Sequence, residues 1–145
     1  IGMKACNTDV AHFNQVAALV SDSFSLLSGE DSLFPAHLAL GAVGGILATA
    51  SLIPAKWVEI YNDAINGHLS LAVQKQRQLL PLLDALFAET NPGPLKAAFR
   101  LLGADIGRTL RPLQDPSPET VAAITREIYA LEKEGALPAS PLFTV

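Results

Sequence analysis

A lysine at the end of an apolar segment is the first group in this chain whose type and place could do chemistry. Ile1-Gly-Met-Lys4 reads as the close of a buried strand with an amine at its tip. Addition of an amine to a carbonyl needs the uncharged form, and free lysine, with a pKa of about 10.4, holds little of it at pH 7. Burial among apolar strands disfavours the ammonium and would make such a nucleophile. Position by itself reads more readily as a lysine snorkelling from a strand end. The other candidates are weaker. Glu30 and Asp31 are adjacent and precede a helical stretch, where acids serve as caps and first-turn charges. Cys6 has no histidine placed to serve it and reads as packing or a pocket wall. Gly41-Ala-Val-Gly-Gly45 lacks dinucleotide spacing and precedes a strand instead of following one. His12, His37 and His68 are scattered, and none has a partner at metal-ligand spacing.

The elements that must position these residues follow a regular order. Ile1–Lys4 is the end of a first strand. Asn7, Thr8 and Asp9 offer N-cap oxygens to a helix over about 10–20, with Phe13, Val16, Ala17 and Val20 on one face. Ser23-Phe-Ser-Leu-Leu-Ser28 is a second strand, closed by Gly29. A short helix over 31–40 ends at Gly41. Gly44-Gly-Ile-Leu-Ala-Thr49 is a third strand, and Pro54 opens a helix that runs to Asn66-Gly67. Strand followed by helix, three times over, is the pattern of a parallel α/β sheet or barrel.

After His68 no strand signal is found. Leu71, Val73, Leu79, Leu80, Leu83 and Leu86 mark a long amphipathic helix over about 69–90. Asn91-Pro-Gly-Pro94 breaks it, a second helix runs to about Gly103, and residues 109–118 form a Pro-rich loop. A third helix over 118–135 places Val121, Ile124, Ile128 and Leu131 on one face. The domain reading is residues 1–66 as three strand–helix units and 67–145 as a helical region. Three parallel strands cannot close a barrel, and their edges and one face need cover.

Composition narrows the class. The chain has 145 residues, half of them hydrophobic, enough for one ordinary domain. Ten Lys and Arg against fourteen Asp and Glu give a net charge of −4, too mild for a nucleic-acid partner. The one cysteine excludes an internal disulfide framework and fits a reducing, cytoplasmic compartment. The apolar stretch from Leu38 to Pro54 is too short and too broken by glycines for a membrane span. No signal peptide is read at the N-terminus. The opening at Ile1, inside an apolar segment, is read as a sign of residues upstream.

Several separated motifs together resemble one family, the Schiff-base (class I) aldolases of the dihydrodipicolinate synthase and N-acetylneuraminate lyase type. Gly2-Met-Lys4 looks like its strand-six lysine motif. Leu27-Ser-Gly-Glu-Asp31 is similar to its Leu-Ser-Gly-Asp-Asp, and Ala39-Leu-Gly-Ala-Val-Gly-Gly-Ile46 to the approach to strand eight. Ala48-Thr-Ala-Ser51 stands where many members have Val-Thr-Ala-Asn. Glu89-Thr-Asn-Pro-Gly-Pro-Leu-Lys96 is similar to Asn-Pro-Ile-Pro-Val-Lys. The resemblance runs from residue 1 to about residue 137 in the family's order.

The resemblance implies an α/β fold: strands six to eight of a (β/α)8 TIM barrel, then a three-helix C-terminal appendage. It implies a pyruvate-dependent lyase or synthase, in which Lys4 forms an imine with the keto acid before an aldehyde partner reacts. Gly29 and Ile46 are then substrate-binding residues, Gly29 by allowing close backbone approach and Ile46 through its main chain, and Thr49 lines the pocket. No cofactor or metal is called for, and intact barrels are expected to form homotetramers. The family's catalytic tyrosine and its Gly-Thr-Thr-Gly-Glu loop belong to strands one to five and are not in this chain, so an N-terminal half-barrel is needed. Two departures bear on substrate choice. Ala5-Cys-Asn-Thr-Asp9 replaces a glycine-containing loop, and Ser51 replaces an asparagine. The alternative is a non-catalytic half-barrel whose helices mediate association.

Overall fold

The computed structural model describes residues 1–136. They form an α/β structure whose strands lie in one parallel three-stranded sheet: β1 (Gly2–Ala5), β2 (Ser25–Ser28) and β3 (Gly44–Gly45), in that spatial order. Each strand is followed by a helix: α1 (Val10–Leu19), α2 (Phe34–Ala39) and α3 (Pro54–Ile65). Three more helices complete the described chain: α4 (Leu69–Phe87), α5 (Gly93–Leu101) and α6 (Pro118–Lys133). The chain divides into two compact units, Ile1–Arg77 and a second beginning at Gln78. The boundary falls within α4, one turn before Pro81, which has no N–H to donate to the Arg77 carbonyl.

In the first unit, local chemistry explains most boundaries. Asp9 caps α1, its carboxylate accepting from the N–H groups of Ala11 at 2.9 Å and His12 at 3.1 Å. Ala5, Phe13, Leu26 and Ala42 form a buried cluster between sheet and helices, with Val16, Ala17 and Val20 packed against it. The helical stretch expected over 31–40 is divided: a 3-10 turn at Asp31–Leu33, then α2. Pro35 is the cause, since it cannot donate back to the Asp31 carbonyl. Gly41, at φ +102°, ends this stretch in a conformation that a side chain would resist.

Two strand boundaries differ from the sequence reading. The second strand begins at Ser25, because Ser21 and Phe24 close a turn first (Phe24 N–H to Ser21 carbonyl, 2.9 Å). The third pairs only at Gly44–Gly45, with further ladder bonds at Val43 and Ile46, and Thr49–Ser51 is a 3-10 turn instead of its end. Asp31 turns the backbone there, as described below.

In the second unit, α5 packs on α6, whose N-terminus is capped by the Ser117 hydroxyl accepting from Thr120 N–H at 3.2 Å. The Glu89 carboxylate accepts from the Thr120 hydroxyl at 2.6 Å and from Ser117 N–H at 2.9 Å, which holds its pKa below the usual carboxylate value. Thr120, Ile124, Ile128 and Leu131 are the buried face of α6, with Thr120 in the place expected for Val121. In this unit's part of α4, Leu79, Leu83 and Leu86 form a buried stripe in steps of four and three. Leu71, expected on that stripe, is exposed.

Candidate active site

Strand parity decides which side chains share a face. β1 and β2 pair Gly2 with Ser25, Met3 with Leu26, Lys4 with Leu27 and Ala5 with Ser28, and Leu27 pairs with Gly44. Ala5 and Leu26 face the helices. Lys4, Leu27 and Gly44 therefore form a row on the opposite face. The ladder continues past the strand ends through Gly29 N–H to Ala5 carbonyl at 2.7 Å and Ile46 N–H to Ser28 carbonyl at 2.8 Å. That places Cys6, Gly29 and Ile46 in the next row on the same face as Lys4.

The Lys4 side chain climbs from its own row to the next. A methyl group added at Gly29 would stand 2.6 Å from Lys4 Cε and 2.8 Å from Lys4 Cγ, and closer still to Cys6 Sγ. Glycine is thus the residue that leaves room for the lysine and the thiol over the backbone. Three of the four residues singled out from sequence, Lys4, Gly29 and Ile46, meet at the C-terminal ends of the strands. Lys4 is exposed and Ile46 is 53% exposed. The expected burial of Lys4 is not supplied by these residues, because three strands cover only one side of it.

Thr49 lies elsewhere in the local structure. It is buried, and its N–H and hydroxyl both donate to Asp31 Oδ1 while its oxygen accepts from Trp57 Nε1 at 2.9 Å. Asp31 Oδ2 accepts from Ala48 N–H at 3.2 Å. Gln76 Nε2 donates to the carbonyls of Ser32 at 2.6 Å and Asp31 at 3.3 Å. The hydroxyl of Thr49 is committed to this network, so its contribution to the site is to shape the chain after Ile46. Asp31 also departs from the cap reading. It sits in the first turn of its 3-10 segment, but the residue is only 2% exposed and its carboxylate turns inward, satisfying donors seventeen and eighteen residues ahead. Those donors are what ended the third strand early.

A second buried pair was not legible in the sequence. Ser28 Oγ lies 2.8 Å from His37 Nδ1, both residues are fully buried, and the imidazole stacks on Phe13 at 3.8 Å between centroids with 4° between planes. Burial pushes the His37 pKa down, against a smaller upward pull from Glu30. A nine-residue separation across strand, turn and helix gives no periodic signal. Cys6 is exposed. Trp57 is buried edge-on to Phe34 at 5.7 Å, and Tyr61 donates to the Val43 carbonyl at 3.3 Å. With Phe34, Gly45 and Leu47, these two aromatics line an apolar hollow of about 310 Å³ on the free side of β3. Among the described residues, no three His, Cys, Asp or Glu side chains are placed to hold a metal ion, and no helix is long and apolar enough to cross a membrane.

A parallel three-stranded sheet covered by helices, with a lysine rising past a glycine at its carboxyl ends, makes this an α/β protein. The sequence profile of the Dihydrodipicolinate synthetase family matches residues 1–131, and the chain belongs to that family. It is similar to the 4-hydroxy-tetrahydrodipicolinate synthases of Methanopyrus kandleri (38% identity, covering 95% of this chain and 45% of that one) and Thermoanaerobacter sp. (35%, covering 92% and 46%). Among solved structures it is similar to the dihydrodipicolinate synthase of Thermotoga maritima, at 33% identity and a TM-score of 0.85 over 94% of this chain and 46% of that one. The chain spans about half the length of the curated relatives it matches.

Proposed function

We propose that this chain is the C-terminal part of a pyruvate-dependent class I aldolase, lyase or synthase of the dihydrodipicolinate synthase type, with Lys4 as its imine-forming residue. In this reading residues 1–66 are strands six to eight of a TIM barrel with their helices, and 67–145 are a helical appendage, of which 137–145 lie outside the described residues. The observation that carries it is the convergence of Lys4, Gly29 and Ile46 on one face at the carboxyl ends of parallel strands, where β/α barrels place their chemistry.

The neutral Lys4 amine adds to the ketone of pyruvate, and loss of water leaves an imine. Protonated, the imine withdraws electrons, so a proton leaves the neighbouring methyl carbon and an enamine forms. The enamine carbon attacks an aldehyde, forming the new carbon–carbon bond, and water releases the product and regenerates the amine. The reverse order is a lyase. Gly29 lets the keto acid approach the backbone. The Ile46 carbonyl, which accepts no hydrogen bond among the described residues, is assigned to the keto acid in this reading. The chemistry needs no cofactor. The proton shuttle, the carboxylate donors and the dry environment of the amine are assigned to a complementary N-terminal half-barrel. Complete barrels are expected to assemble as homotetramers in the cytoplasm.

A second reading, a non-catalytic half-barrel serving association, is favoured by one observation: Met3, Val43 and Ile46 are exposed apolar residues around open strand edges. Borohydride reduction in the presence of pyruvate separates the two. A stable adduct on the protein in its complete assembly supports the enzyme, and its absence at saturating pyruvate supports the association module.

A further inference from the structure

His37 has no part in the chemistry above, yet it is a fully buried imidazole on α2 against the end of β2, where a phenylalanine would pack with no desolvation cost. The ring has one hydrogen-bond partner, Ser28 Oγ at Nδ1, while Nε2 is buried and unpaired. An uncharged imidazole carries one N–H. On Nε2 it would be a buried donor with no acceptor. On Nδ1 it donates to Ser28 and leaves only an acceptor unpaired, which is the less costly arrangement. The Nδ1–H tautomer also resolves the roles around Ser28. Its oxygen accepts from His37 and from Glu30 N–H, at 3.3 Å, and its proton goes to the Glu30 carbonyl, also at 3.3 Å.

One hydroxyl thus grips both backbone polar groups of Glu30, and Gly29 lies between Ser28 and Glu30. The Gly29 N–H is held on its other side by Ala5. The stack on Phe13 of α1 fixes the plane of the ring that orients the hydroxyl. The His37 carbonyl accepts Ala42 N–H at 2.9 Å, at the start of the segment that leads to Ile46. Resting on the reading of Lys4 as the imine lysine, we propose that His37 is a positioning residue. Through Ser28 it holds the Gly29–Glu30 turn in the place that the Lys4 side chain lies against.

His37→Phe keeps a ring for the Phe13 stack and removes the donor; Ser28→Ala removes the hydroxyl. In the complete assembly, His37→Phe should melt no lower than the parent, because an unpaired buried nitrogen is gone. Yet it should slow pyruvate-dependent borohydride trapping about tenfold, the scale of one net hydrogen bond. Ser28→Ala should show the same defect, and the double variant no more than either one, since both act through one contact. Trapping by His37→Phe at the parent rate overturns the proposal, as does a defect that simply follows a lowered melting temperature. Amide exchange gives a readout independent of Lys4. The Glu30 N–H should exchange about tenfold faster in His37→Phe, and unchanged protection overturns the proposal even if the parent forms no adduct. Failure of the parent to form one counts against the Lys4 reading alone.

Discussion

The stem of Lys4 lies across the α-carbon of Gly29, so close that one methyl group there would meet Lys4 Cε at 2.6 Å. The two residues come from adjacent strands whose register is fixed by the pairing of Lys4 with Leu27. Gly29→Ala should therefore push the amine aside while leaving the core intact, since the clash is with the side chains of Lys4 (Cγ and Cε) and Cys6 and not with backbone. The expected outcome is a drop in the rate of adduct formation of about 10²-fold, typical of misplacing a reacting group by about 1 Å. The melting temperature should change little. Stopped trapping assays and calorimetry on the same variant check it.

Asp31 satisfies Ala48 N–H and both donors of Thr49 from a buried position. Asp31→Ala leaves those donors without an acceptor. The expected cost is about 2–4 kcal/mol in denaturant unfolding, the scale of a broken buried network. Thr49→Val, which removes only the hydroxyl, should cost less. Equal costs would show that the Thr49 hydroxyl, which also serves Trp57 Nε1, matters as much as the turn at Ala48–Thr49.

His37 gives a signed pH prediction. Its pKa in the folded protein is depressed below the ordinary value of 6.5, chiefly by burial. As pH falls below that value the unfolded chain takes up a proton that the folded chain refuses, so stability declines with acidification in this window. His37→Phe should remove that part of the slope. Unfolding curves collected between about pH 7 and 5 test this, and a variant as pH-sensitive as the parent would show that other groups carry it.

Much of the first unit was readable from sequence because each strand–helix step carried its own punctuation. Asp9 capped α1, Gly41 closed the stretch containing α2, and Pro54 opened α3. The family's spacing brought Lys4, Gly29 and Ile46 forward, and parity explains why they share a face. What escaped were contacts between residues distant in sequence. Asp31 reached forward to Ala48 and Thr49, which shortened the third strand and took Thr49 out of the open face. Ser28 met His37 across a turn. Neither pairing has a period or a spacing rule, since each depends on the depth at which two elements pack. Pro35 was visible in the sequence, and its effect on the helix after Asp31 follows from its missing N–H.

Leu83, 2% exposed on the stripe of α4, should behave as packing and not as chemistry. Leu83→Ala is expected to cost about 2–5 kcal/mol, and activity should fall with stability or assembly mass. Lys75, which pairs with Asp63 at 2.6 Å, and Arg77, Glu127 and Glu132 should each tolerate removal of charge with turnover retained. Loss of turnover at any of these four with an intact sedimentation profile would place chemistry in the helical region.

The central claim is that Lys4 forms the imine. It is tested most directly by incubating the complete assembly with pyruvate and borohydride, digesting it and sequencing the modified peptide by mass spectrometry. One reduced pyruvyl adduct is expected, on Lys4, and none with Lys4→Ala, whose turnover should be abolished. An adduct on another lysine, or a Lys4→Ala variant with undiminished turnover, would contradict it.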